Sequence, residues 1–155
     1  MELNKDASKE IAVSLNGEVW SLLGKHSRTP EEDRRMIHTA HASHYQWLQT
    51  GGPVNEQRGE WLLSHVYACL GIGEAALRHA KRCAQITKEH EAVLKDFDLA
   101  YAVLGLARAY AVLGNADQAS RLKKESRKLG DHIADPEDRK IFDGDFGGGH
   151  WNGVE

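Results

Sequence analysis

The chain is 155 residues long, 41% hydrophobic and 28% charged, with a formal net charge of -3; that is enough for one domain with its own core, needing neither metal nor disulfides to fold. Its lysines and arginines are mixed among aspartates and glutamates, so no nucleic-acid partner is expected. No stretch is apolar over a bilayer's thickness and the first ten residues are polar, so no membrane partner and a cytoplasmic location are expected.

A first helix is capped by Asp6 or Ser8, carries the stripe Ile11, Leu15, Val19, Leu22 and Leu23, and ends at Gly24, where a left-handed C-cap is expected. Asn16-Gly17 is a candidate break within it. Thr29-Pro30-Glu31-Glu32 then supplies a capping hydroxyl, a proline at the first helical position and a glutamate that returns the hydrogen bond. This second helix runs to about Thr50 and stops at Gly51-Gly52-Pro53.

Asn55 caps a third helix to about Gly71, and a tight turn leads into a fourth with Ala76, Leu77, Ala80, Cys83, Ala84 and Ile86. Asp96 caps a fifth, which is apolar nearly all round from Phe97 to Leu113 and is expected at the centre. Gly114-Asn115 turns into a more polar sixth helix closed by Gly130, and Asp135-Pro136 starts a short seventh ending near Phe146. No segment alternates as a half-buried strand does. Residues 1–146 thus read as one helical domain and 147–155 as a flexible glycine-rich tail. Cys69 and Cys83 sit at apolar helical positions and read as free, mostly buried thiols.

Two stretches align at an offset of 43: Leu63, Tyr67, Gly71, Ala76 and Ala80 stand where Leu106, Tyr110, Gly114, Ala119 and Lys123 recur. On these residues the chain resembles the tetratricopeptide repeat family. The resemblance implies an all-α, right-handed array of about three helical hairpins closed by a capping helix, with the first helix of each pair lining a concave groove. Carried over, the groove positions are Arg58, Trp61, His65, Ala68 and Cys69, then Tyr101, Leu104, Arg108, Ala111 and Val112. Helical spacing agrees, since 58, 61, 65 and 68 share one stripe, as do 101, 104, 108 and 111.

Arg58, Trp61, His65, Tyr101 and Arg108 together have the composition of a binding surface. A plain packing role makes the opposite forecast, with Trp61 and Tyr101 filling the core and Arg108 paired to Asp98 or Glu18. The family members that clamp a peptide's terminal carboxylate use lysine and asparagine where Trp61, His65 and Leu104 stand, so a chaperone-tail adaptor is not expected. The chain also resembles a group of uncharacterised bacterial helical-repeat proteins through the run Ile37 to Tyr45, the run Gly59 to Leu63, and Glu137-Asp138-Arg139. That second resemblance implies no activity.

There are nine histidines, and His38, His41 and His44 recur every three residues on the second helix. A metal site would need His41 and His44 to be joined by His65, but no HExxH, CxxC or nearby carboxylate accompanies them. There is no GxSxG elbow for Ser43 or Ser64. Asp143-Gly144-Asp145 lacks the glutamate of a calcium loop and reads as a fraying helix end. The expectation is a non-catalytic binding module without cofactor, recognising a peptide, a protein surface or a small ligand. The alternatives are a histidine-based metal enzyme between the second and third helices, and a self-associating structural protein that forms a homodimer.

Overall fold

In the computed structural model, which describes residues 3–155, every regular element is helical. The order is α1 (Lys5–Leu23), α2 (Pro30–Thr50), α3 (Pro53–Cys69), α4 (Gly73–Glu89), a single 3-10 turn (Glu91–Val93), α5 (Asp96–Val112), α6 (Ala116–Asp131) and α7 (Pro136–Gly147). The expected all-α class and seven α-helices are therefore present, with no strand among the described residues. No described helix is long and apolar enough to cross a membrane.

Local chemistry explains most of the boundaries. The Thr29 hydroxyl accepts from the Glu32 amide while the Glu32 carboxylate accepts from the Thr29 amide, and Pro30 opens α2. Such a reciprocal cap contributes roughly 1 kcal/mol. Other ends differ from expectation. Asn4 caps α1, its side chain accepting from the Ala7 amide at 2.8 Å. Asn16-Gly17 does not interrupt that helix, and Gly24 ends it at φ -75°, in right-handed rather than left-handed geometry. Helix α3 starts at Pro53 rather than at Asn55, because proline fixes φ where no amide donor is needed.

Consecutive helices pack in pairs, α1 on α2, α3 on α4 and α5 on α6; α3 also touches α5, and α7 rests on α5 and α6. The central position of α5 follows from its sequence. Ala100, Ala102, Leu104, Gly105, Ala107, Ala109 and Ala111 are all buried, and their small size lets neighbours approach from several sides.

The turns that end α3 and α5 are the same object 43 residues apart. Gly71 and Gly114 have φ of +74° and +78°, a conformation glycine adopts without a Cβ clash. Each is bracketed by the same pair of hydrogen bonds. The Ile72 amide donates to the Tyr67 carbonyl (2.9 Å) and the Gly71 amide to Ala68 (3.1 Å); Asn115 donates to Tyr110 (3.0 Å) and Gly114 to Ala111 (3.1 Å). Ala76 and Ala119, each five residues after the turn glycine, are fully buried.

Candidate functional site

Helices α1, α3, α5 and α7 enclose a cavity of about 500 Å³ whose walls include Trp20, Arg58, Trp61, Phe97, Tyr101, Ile141 and Asp145. Its floor is a stack of rings. Trp20 and Trp61 lie nearly parallel with centroids 6.1 Å apart, Trp61 stacks on His65 at 4.9 Å, and Tyr101 meets Trp61 edge-on at 4.7 Å. Offset and edge-on ring pairs of this kind add to the stabilisation that burial gives. Trp61 is only 7% exposed, whereas Trp20 is 39% and Ile141 60% exposed. The cavity floor is thus core, and the accessible apolar surface comes from α1 and α7.

The absence of a side chain at Gly105 seats α5 against this floor, since a Cβ there would stand 3.3 Å from Trp61 Cδ1. The buried Trp61 Nε1 and Ser64 Oγ face the same spot and have no hydrogen-bond partner.

Polar groups on the walls are mostly engaged with each other. Arg58 donates to both oxygens of Asp98 (2.8 and 3.0 Å) and lies 4.9 Å from the Phe97 ring centroid. Asp98 is almost fully buried and also accepts from the Lys95 amide, so it fixes the start of α5 and the Arg58 fork together. Tyr101 donates to Asp145 Oδ2 at 2.6 Å. Burial raises the Asp145 carboxyl against the lowering effects of the Tyr101 hydrogen bond and the Arg108 charge. Burial, and then Asp145, pushes the Tyr101 hydroxyl far above its usual range.

Of the five residues read from the repeat register, Arg58, Trp61 and Tyr101 meet on the cavity. His65 lies beyond Trp61 in the stack, also 6.1 Å from the Trp20 ring. Burial, helped by the Arg108 charge, brings His65 down to about 4, so its ring is neutral at pH 7. Its Nε2 lies 3.7 Å from Cys69 Sγ. Cys69 is exposed, contrary to expectation, yet desolvation around its sulfur pushes the thiol up. A neutral imidazole beside a raised thiol is the reverse of an activated nucleophile pair. Cys83 is buried as expected, and both cysteines are free.

Arg108 departs from either forecast. Asp98 belongs to Arg58, and Glu18 pairs with Arg35 at 2.5 Å. The Arg108 guanidinium is instead enclosed by backbone carbonyls, donating to Asp145 (3.0 Å), Phe146 (3.0 Å), Gly148 and His150 (3.1 Å). It also lies 3.8 Å from the Trp151 ring centroid. Burial lowers it to about 10, which leaves it charged at pH 7. The segment 147–155, read as a flexible tail from its glycines, is therefore laid across α5 and α6, with Val154 buried. A composition rich in glycine conceals contacts that come from carbonyls rather than side chains.

The three histidines proposed as metal ligands are not brought together. His65 stacks in the groove, whereas His41 accepts from or donates to the Tyr67 hydroxyl at 2.8 Å and His44 lies 3.3 Å from Glu60. Glu60 and His79, which the sequence did not single out, complete a different cluster between α2, α3 and α4. Glu60 Oε2 is 2.6 Å from His79 Nδ1, and the His79 ring stacks on Tyr67 at 5.6 Å. Burial opposes the charge on Glu60, but hydrogen bonds from His44 and His79 outweigh it and hold the carboxyl near about 2. His44 Nδ1 faces the bare backbone of Gly59, where any Cβ would collide with it. Among the described residues no three metal-binding side chains converge within reach of one ion.

Trp20, Ile141 and Asp145 were missed as cavity walls because α1 and α7 lie outside the repeat alignment, and Phe97, on α5 itself, because it stands one turn before the positions that the alignment pairs. No family model, curated protein or solved structure matches the chain. What the cavity can do follows from its own walls.

Proposed function

We propose that this protein is a non-catalytic binding module of tetratricopeptide-like hairpins that takes a peptide or protein segment into the groove between α1, α3, α5 and α7. The observation that carries this reading is an aromatic cavity of about 500 Å³ with Trp20 and Ile141 left accessible at its edges. Exposed apolar surface gathered in a concavity, with few polar groups around it, is the usual composition of an anchor pocket. The Arg58–Asp98 and Tyr101–Asp145 pairs satisfy each other, so they orient a ligand at the rim, and the rings supply the affinity. The ligand that suits these walls is a segment inserting one bulky apolar side chain.

Selection from a displayed random-peptide library tests the reading. The unmodified protein is expected to enrich sequences with a bulky apolar anchor, and Trp20→Ala combined with Ile141→Ser to lose that enrichment while keeping the helical signal and a cooperative melt well above the selection temperature. Absence of enrichment by the unmodified protein, or equal enrichment by the double variant, sinks it.

A further inference from the structure

The end of the α5–α6 pair is covered in a way that the end of the α3–α4 pair is not. On α3–α4, Ala76 and Ala80 are packed by Ala109 of α5, with Tyr67 and Ala68 alongside. At an offset of 43 the same ground recurs as Ala119 and Lys123 with Tyr110 and Ala111. There the covering residues are Val154 and Trp151. A short non-helical segment with a turn at Asn152-Gly153 thus occupies the place that a helix takes one pair earlier.

That segment is bound by side chains of the helices rather than by its own backbone pairing. The Lys123 ammonium donates to the Val154 carbonyl at 3.0 Å and stands 4.4 Å from the Trp151 ring centroid. The Arg108 guanidinium also lies against the Trp151 ring, at 3.8 Å from its centroid, and donates to the His150 carbonyl. Asn152 and Gly153 have positive φ, so residues 150–155 turn too sharply to form a helix. They are joined to α7, which ends at Gly147, by Gly148-Gly149, a link with little conformational preference of its own.

We infer that the end face of α5–α6 is a binding site for a short non-helical segment presenting an aromatic ring and, three residues on, an aliphatic side chain, and that its partner is a second copy of this chain. The six residues that fill the site in one copy make the same contacts on a neighbour when the glycine link opens outward. Exchange of this kind keeps the contacts of Trp151 and Val154 and gives up those of the link, where Arg108 holds the Gly148 carbonyl, so the link conformation and protein concentration set the balance. A short flexible link holds the segment at an effective concentration in the millimolar range, which keeps the unmodified chain closed on itself at low concentration. This site is separate from the aromatic groove, and the fate of either reading leaves the other standing.

Two full-length variants remove the internal competition. Trp151→Ala with Val154→Ala leaves the site empty, and Ala119→Leu fills the seat of Val154 and releases an intact segment. Each alone is expected to sediment as a monomer, and their mixture to form a one-to-one dimer at concentrations where the unmodified chain stays monomeric. A labelled peptide of residues 147–155 is expected to bind the emptied variant at least about tenfold more tightly than the unmodified chain, whose own segment competes. A mixture that stays monomeric, or a peptide that does not distinguish the two proteins, overturns the inference.

Hydrogen exchange on the unmodified chain gives a test that needs no variant. The Val154 amide, bonded to the Trp151 carbonyl at 3.0 Å, is expected to exchange at least about a hundredfold faster than the amides of Ala102 to Ala109, through an opening that leaves α5 intact. Equal protection of Val154 and α5 means the segment leaves only on global unfolding, and overturns the inference.

Discussion

The two sides of α3 carry opposite chemistry. Toward the cavity it presents Arg58 and Trp61, with His65 stacked behind the indole, and the apolar neighbours Trp20 on α1 and Ile141 on α7 remain accessible. Toward α2 and α4 it presents Glu60 and Tyr67, each already bonded to histidines of the flanking helices. A polar cluster that satisfies itself fixes how helices sit; a ring surface left open is free to take up something else. The comparison separates what on this helix holds the fold from what it offers to a ligand, and it shows that Trp61 belongs to both.

The largest expected effect breaks the cavity side. Trp61→Ala should destabilise by about 3–5 kcal/mol, as measured by urea denaturation, because the ring is buried and supports Trp20, His65 and Tyr101 together. Trp20→Ala, whose ring is 39% exposed, should cost less, about 1–2 kcal/mol. Equal losses for the two would erase the distinction between floor and rim.

The two sides should also titrate in different windows. In the folded chain His65 is held down to about 4, against about 6.5 for an exposed histidine. A histidine whose folded pKa lies below its unfolded value takes up a proton on unfolding, so stability is retained above pH 6.5 and is lost as pH falls toward 4. The loss is on the order of 3 kcal/mol and should disappear from the pH profile of His65→Gln. Glu60, held near about 2, behaves as a depressed carboxyl: its contribution is present above pH 4.5 and is lost only as pH falls toward 2. Denaturation midpoints collected from pH 7.5 to pH 3 check the order of the two losses.

On the other side, Glu60→Ala leaves His44 and His79 without their shared acceptor and should cost roughly 1–3 kcal/mol by thermal melt. An unchanged melt would mean the cluster does not hold α2 and α4 to α3. Gly71→Ala should cost about 1–2 kcal/mol, since alanine is disfavoured at φ +74°. Gly114→Ala should cost about the same, and a marked difference would break the equivalence of the two turns.

Features set by neighbours in sequence were legible before the structure. The Thr29 to Glu32 cap, the glycine turns at Gly71 and Gly114 and the burial of α5 each depend on a few adjacent residues or on one periodicity. The cavity was half legible. Arg58, Trp61 and Tyr101 follow from one helical stripe repeated at a fixed offset, but Trp20, Ile141 and Asp145 arrive from helices with no counterpart in that offset. Arg108 was legible as important and not as to why. Its partners are carbonyls, which every residue possesses and no sequence marks. The histidines misled for a related reason: His41 and His44 do share a neighbourhood, but a single stripe cannot tell that Glu60 and His79, rather than His65, complete it.

The ring stack also gives the protein an optical signature. Two indoles nearly parallel at 6.1 Å couple their transitions, and a neutral imidazole lies against one of them at 4.9 Å. A side chain entering the cavity beside Trp20 must disturb that coupling, and a proton arriving on His65 converts a weak quencher of Trp61 emission into a strong one. The occupancy of the groove and the protonation of its floor are thus written in near-ultraviolet dichroism and tryptophan fluorescence, without any label attached to the chain.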